Sequence, residues 1–86
     1  MPRLNRDIIL HNIAEAREEL QNIEKMLNSD QRLDPITFQV AMQHAFHHLN
    51  FAWNIRYWPS RRYANLAHAD FEQAGSFPDD LQFDDD

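Results

Sequence analysis

The chain has 86 residues, 26% of them charged, with 14 acidic against 8 basic side chains, one glycine, four prolines and no cysteine. That length allows one domain with a small core, for which self-association is a common source of stability. The absence of cysteine excludes disulfides and thiolate metal sites. A single glycine leaves little turn material for a β-sandwich or barrel, and a net charge of −6 gives no general attraction to phosphate or to anionic lipid. The acid is concentrated at one end: residues 1–69 carry eight basic and seven acidic side chains, residues 70–86 seven acidic and no basic ones.

The opening segment, MPRLNRDIIL, lacks the apolar core of a signal peptide, so a cytoplasmic location is expected. Residues 5–28 then read as a helix. Ile9, Ile13, Ala16, Leu20, Ile23 and Leu27 recur at alternating spacings of four and three, a thin heptad seam, while His11, Glu15, Glu18, Asn22 and Lys25 make a polar back. Residues 28–34, NSDQRLD, form a polar connection of the length that joins two antiparallel helices.

The chain is organised around residues 35–58. Within 35–55 there is no Asp, Glu, Lys or Arg, and the ionisable side chains are His44, His47 and His48. Asp34 is placed as an N-cap, Pro35 suits the first helical position, and Pro59 ends the element. At 100° per residue this helix has two apolar faces. One holds Phe38, Met42, Ala45, Phe46, Leu49, Ala52 and Trp53; the other holds Val40, Phe51, Ile55 and Trp58 with His44 and His47 among them. A strip of Gln39, Gln43, Asn50 and Asn54 separates the two. A helix apolar on most of its circumference is a buried one. The polar residues interrupt any run long enough to span a bilayer. Antiparallel pairing with the first helix sets Ile13 near Leu49, Ala16 near Ala45 and Phe46, and Leu20 near Met42. That uses the first face and leaves the second over.

A third, shorter helix is expected at about 61–74, with Tyr63, Ala67, Phe71 and Ala74 at helical spacing, Gly75 in the C′ position, and a break allowed near His68. Residues 1–76 thus make one all-α domain, and residues 77–86 an acidic, partly disordered tail in which Phe77, Leu81 and Phe83 are able to dock. The leftover face of the central helix predicts a homodimer built as a four-helix-bundle-like core from two hairpins. Its expected interface is Val40, His44, His47, Phe51, Ile55 and Trp58. Burial of the histidines there would make acid loosen the dimer.

Three constellations carry possible chemistry. His44, His47 and His48 have the i, i+4 spacing with which imidazoles chelate zinc, nickel or iron, so a metal-binding bundle is the alternative reading, although the segment supplies no carboxylate. Arg56, Arg61, Arg62 and Tyr63, interleaved with Trp53, Tyr57 and Trp58, could bind a partner; the same mixture suits single-stranded nucleic acid, but the acidic tail is available to neutralise it. Arg62 and His68, at an Arg-x5-His spacing, resemble the arginine and histidine of toxin-type helical ribonucleases. That resemblance implies RNA binding or cleavage, by a fold longer than this chain. The reading expected from the whole is a non-enzymatic structural or protein-interaction module. Its partner is a second copy or another protein, with no nucleic acid or membrane and no obligatory cofactor.

Overall fold

The computed structural model describes residues 2–29 and 32–81, which are helical and turn structure without strands. Four helices follow in order: α1 (Arg6–Asn28), α2 (Pro35–Asn54), α3 (Ser60–Ala64) and α4 (His68–Gly75). The long antiparallel hairpin of α1 and α2 is the frame, and α4 lies across the C-terminal half of α2. No helix among the described residues is long and apolar enough to cross a membrane.

The ends of the hairpin helices follow from local chemistry. The Asn5 side chain accepts from Ile8 N–H at 3.4 Å, and the Asp34 carboxylate accepts from Thr37 N–H at 3.4 Å, one cap for each helix. α2 stops at Asn54, four residues short of the expected end. In a continuing helix Pro59 would have to donate to the Ile55 carbonyl, but it has no N–H and its ring would meet that carbonyl. The chain tightens instead, and Trp58 N–H donates to Ile55 O at 2.9 Å.

The expected third helix is two. Asn65 accounts for the break: its side chain and its own N–H both donate to the Arg61 carbonyl, at 2.9 and 3.2 Å, and so end α3. Gly75 is the last residue of α4 and not a left-handed cap, since no glycine has positive φ. Its value lies in close packing, because a Cβ there would sit 3.4 Å from the Phe51 ring.

The core lies at the α2–α3 corner. Ile8, Phe51, Ile55, Trp58 and Ala74 form it, with Tyr63 and Leu66 packed on its edge. Polar clamps surround it. Asn5 donates through Nδ2 to Trp58 O at 2.8 Å and to Ser60 Oγ at 3.1 Å, and its N–H reaches Arg56 O at 2.7 Å. Asn50 donates to the carbonyls of Gly75 and Ser76, and Asn54 to those of Ala74 and Ser76. Those are the carbonyls a helix C-terminus leaves without partners. The two asparagines of the polar strip on α2 therefore hold α4 in place.

Elsewhere α1 and α2 meet through small residues. Ala16 on α1 and Ala41, Ala45 and Ala52 on α2 are buried, joined by Ile23. The expected register holds: Ile13 and Leu49 line one groove, and His48 Nδ1 lies 3.2 Å from Asn12 Oδ1. The expected depth does not hold. The alanines let the helices approach, and the larger side chains on either flank are turned outward. The tail is described as far as Leu81; Phe83 and the three terminal aspartates lie outside the described residues, as do Asp30 and Gln31 of the connection.

Candidate functional site

The outward-turned side chains make one surface. Ile13, Leu20 and Leu27 form a ridge along α1 at seven-residue intervals, and Phe38, Met42, Phe46 and Leu49 form the neighbouring rows of α2. Their exposures run from 37% at Phe38 to 61% at Leu27, high for seven large apolar residues sharing two adjacent helices. The shared groove of Ile9, Ile13, Leu49 and Ala52 places the α1 ridge and the α2 rows on the same side of the hairpin. No charge from α2 enters this surface, since residues 35–55 have none. At its corner end Trp53 and Arg56 border it. The Asp80 carboxylate crosses there, accepting from Trp53 Nε1 at 2.8 Å and from Arg56 Nη2 at 3.0 Å. Phe77 stacks near Phe46 with ring centroids 6.3 Å apart.

This is not the surface expected from the sequence. Phe51, Ile55 and Trp58 are 4%, 0% and 8% exposed within a single chain, so they have no area to offer a second copy. The cause is α4 and the start of α1, which cover them together with Tyr63 and Leu66. Val40 and His44 stay exposed, but on the opposite side of the hairpin, in a groove with Met26, Ile36 and the polar Glu19, Asn22 and Lys25.

The three histidines have different principal partners, although the His47 and His48 rings lie edge to face with centroids 5.4 Å apart. His44 is exposed and 3.9 Å from Glu19. His47 packs on Phe51, with centroids 4.3 Å apart, and on Phe71 of α4 at 5.9 Å. Partial burial, with His48 and His44 nearby, pushes its pKa down. His48 meets Asn12, whose amide donates to Ile8 O and to the Tyr63 hydroxyl, so that the amide oxygen accepts from His48. Among the described residues no group of three or more His, Cys, Asp or Glu side chains could hold a metal ion.

Two of the three candidate arginines, Arg56 and Arg62, are engaged within the chain. Arg56 lies 3.8 Å over the Trp53 ring and 4.7 Å over Tyr57, and pairs with Asp80. Arg62 lies 3.6 Å over Trp58 and pairs with Asp70 at 2.8 Å, with Gln73 at 2.8 Å beside it. Tyr63 is taken up by Asn12, and Arg61 is exposed. His68 is paired with Glu72, 2.9 Å away on the solvent side of α4, and so does not share the surroundings of Arg62. No paired acid and base on an interior wall emerges from these contacts.

Leu20, Met42, Phe38 and their neighbours are expected from the sequence in the hairpin interior, and the structure leaves them on its surface. The alanine seam was the available signal: Ala41, Ala45 and Ala52 recur at four and seven, and Ala16 faces them. The chain matches no family model, no curated protein and no solved structure.

Proposed function

We propose that the chain is a non-enzymatic interaction module that works as a homodimer, two hairpins closing over the open apolar face. The observation that carries this is the uncharged row of Phe38, Met42, Phe46 and Leu49 beside the ridge of Ile13, Leu20 and Leu27, each left 37–61% exposed by a single chain. Its area is sufficient. A 20-residue helix is about 30 Å long and two helices are about 20 Å wide, giving about 600 Å² on each side. Doubled, that is about 1,200 Å², the lower edge of stable protein interfaces, and a self-complementary patch is what a two-fold axis requires. Burying it yields the four-helix bundle that the fold lacks as a single copy.

Light scattering after gel filtration at low micromolar concentration should give twice the chain mass of 10.3 kDa. Met42→Glu, which places a charge at the centre of the face, should give a monomer with unchanged helical circular dichroism. A wild-type chain that elutes as a monomer at these concentrations overturns the proposal.

A further inference from the structure

The face also specifies how its partner lies. Ile13 and Leu49 share a groove, so seven residues further along α1 and seven back along α2, Leu20 and Met42 stand level. Both rows are symmetric about that level. On α1, Ile13 and Leu27 lie seven residues to either side of Leu20; on α2, Phe38 and Phe46 lie four to either side of Met42. Arg17 and Glu24, also seven residues apart, fall beside the ridge on its outer rim, away from α2. Both are exposed, and neither has an ion-pair partner within the chain among the described residues.

Two ways of stacking one hairpin on another by a two-fold axis are available. With the axis along the helices, the loops share one end and α1 lies over the partner's α2. That helix carries no Asp, Glu, Lys or Arg over residues 35–55, so Arg17 and Glu24 gain no ion pair. With the axis across the helices, the loops lie at opposite ends and α1 runs antiparallel to the partner's α1. Leu20 then meets its own copy, Ile13 meets the partner's Leu27, Met42 meets its own copy and Phe38 meets the partner's Phe46. Arg17 comes beside the partner's Glu24, and Glu24 beside the partner's Arg17. Rim charges set orientation in helical assemblies in this manner.

We infer that the second copy docks with its loop at the opposite end, on a two-fold axis through the level of Leu20 and Met42, and that two Arg17–Glu24 pairs select this orientation. The inference rests on the proposed self-association, and the chain's lack of cysteine allows the two to be tested separately. Single-cysteine variants are treated with a short bismaleimide. Leu20→Cys and Met42→Cys should each cross-link to themselves. Ile13→Cys and Leu27→Cys should not do so alone but should cross-link when mixed. Cross-linking of Leu20→Cys to Met42→Cys, without self-cross-linking of either, would mean loops at one end and would overturn the orientation while leaving the dimer intact. Absence of a dimer by light scattering would instead remove the reading beneath it. A charge cycle gives a second readout. Arg17→Glu and Glu24→Arg should each raise the dissociation constant roughly three- to thirtyfold, for two exposed pairs lost, and the double exchange should restore it. No restoration in the double variant overturns the assigned pairs.

Discussion

The two ends of the hairpin are closed by different means. At the α2–α3 corner the chain covers itself: Phe51, Ile55 and Trp58 lie under α4 and the start of α1, and asparagine side chains occupy the carbonyls that would otherwise stay exposed. Toward the connecting loop no other described residue packs a further helix on the hairpin. There α1 and α2 are joined by the alanine seam and Ile23, and Leu20, Leu27, Phe38 and Met42 stay 37–61% exposed. The residues described after α2, 55–81, seal one end of a two-helix frame and not its length. The difference separates residues that hold the single chain together from those available to a partner.

The largest expected effect lies in the sealed corner. Phe51→Ala removes a ring that touches His47, Phe71 and the space beside Gly75, and should cost about 3–5 kcal/mol. An 86-residue domain has about 4–13 kcal/mol in all, so urea unfolding should show a variant near its limit. At the open end, Leu20→Ala measured in the Met42→Glu monomer should cost under about 1 kcal/mol, because an exposed side chain leaves little behind. Similar losses at both positions would erase the distinction between the two ends.

Next in size are the clamps. Asn50→Ala with Asn54→Ala strips the carbonyls of Ala74, Gly75 and Ser76 of their side-chain donors. The loss should be about 1–3 kcal/mol in all, because Ala74 is buried while Gly75 and Ser76 are exposed and water can replace their donors. It should appear locally: amide exchange in α4 should quicken while α1 and α2 keep their protection. Uniform acceleration across all helices would show that α4 is no separable cover.

The sequence discloses these regions unequally, for a physical reason. The start of α2 is legible because Asp34 and Pro35 act through their own backbone neighbours, and α2 ends early because of a proline four residues beyond Ile55. Burial is not local. Hydrophobic patterning gives weight to Phe, Leu and Met, whereas the contact between α1 and α2 is set by closest approach and falls to Ala16, Ala41, Ala45 and Ala52. Small residues at that contact leave the large side chains of the first apolar face of α2 open, while α4 covers Phe51 of the second and Val40 and His44 stay exposed. The expected dimer survives as a proposal, but on the other side of the helix. The paired asparagines were visible as a polar strip, yet what they bind is the end of a helix twenty residues later.

A smaller effect comes from pH, and it belongs to the sealed corner. His47 stacks on Phe51 and Phe71 with its pKa held below the ordinary 6.5 by partial burial and by His48 and His44. The unfolded chain thus binds protons in a range where the folded chain does not. Stability is full above pH 6.5 and declines as pH falls through that value toward the lowered pKa. The urea midpoint should drop between pH 7.5 and pH 5.5, and His47→Gln should flatten the slope. Since His47 faces α4 and not the open face, the dimer dissociation constant of folded chains should change less than the midpoint does.

The smallest expected effect is at Asp80, where the two regions touch. Its carboxylate accepts from Trp53 and then from Arg56, and these bonds lower its pKa below the usual carboxylate range. The contact is therefore at full strength above the unfolded value near 3.8 and weakens as pH falls below it. Asp80 is exposed, so Asp80→Asn should leave the unfolding midpoint unchanged within error. The informative readout is the indole itself: loss of the charged acceptor should shift Trp53 emission, measured with Trp58→Phe to silence the other tryptophan. Phe77 leans on Phe46 at the margin of the open face, so the same variant asks whether the tail restricts that face. A shifted emission with an unchanged dimer constant would place the tail wholly with the sealed corner. A tighter dimer would show that it shields the apolar rows at their corner end.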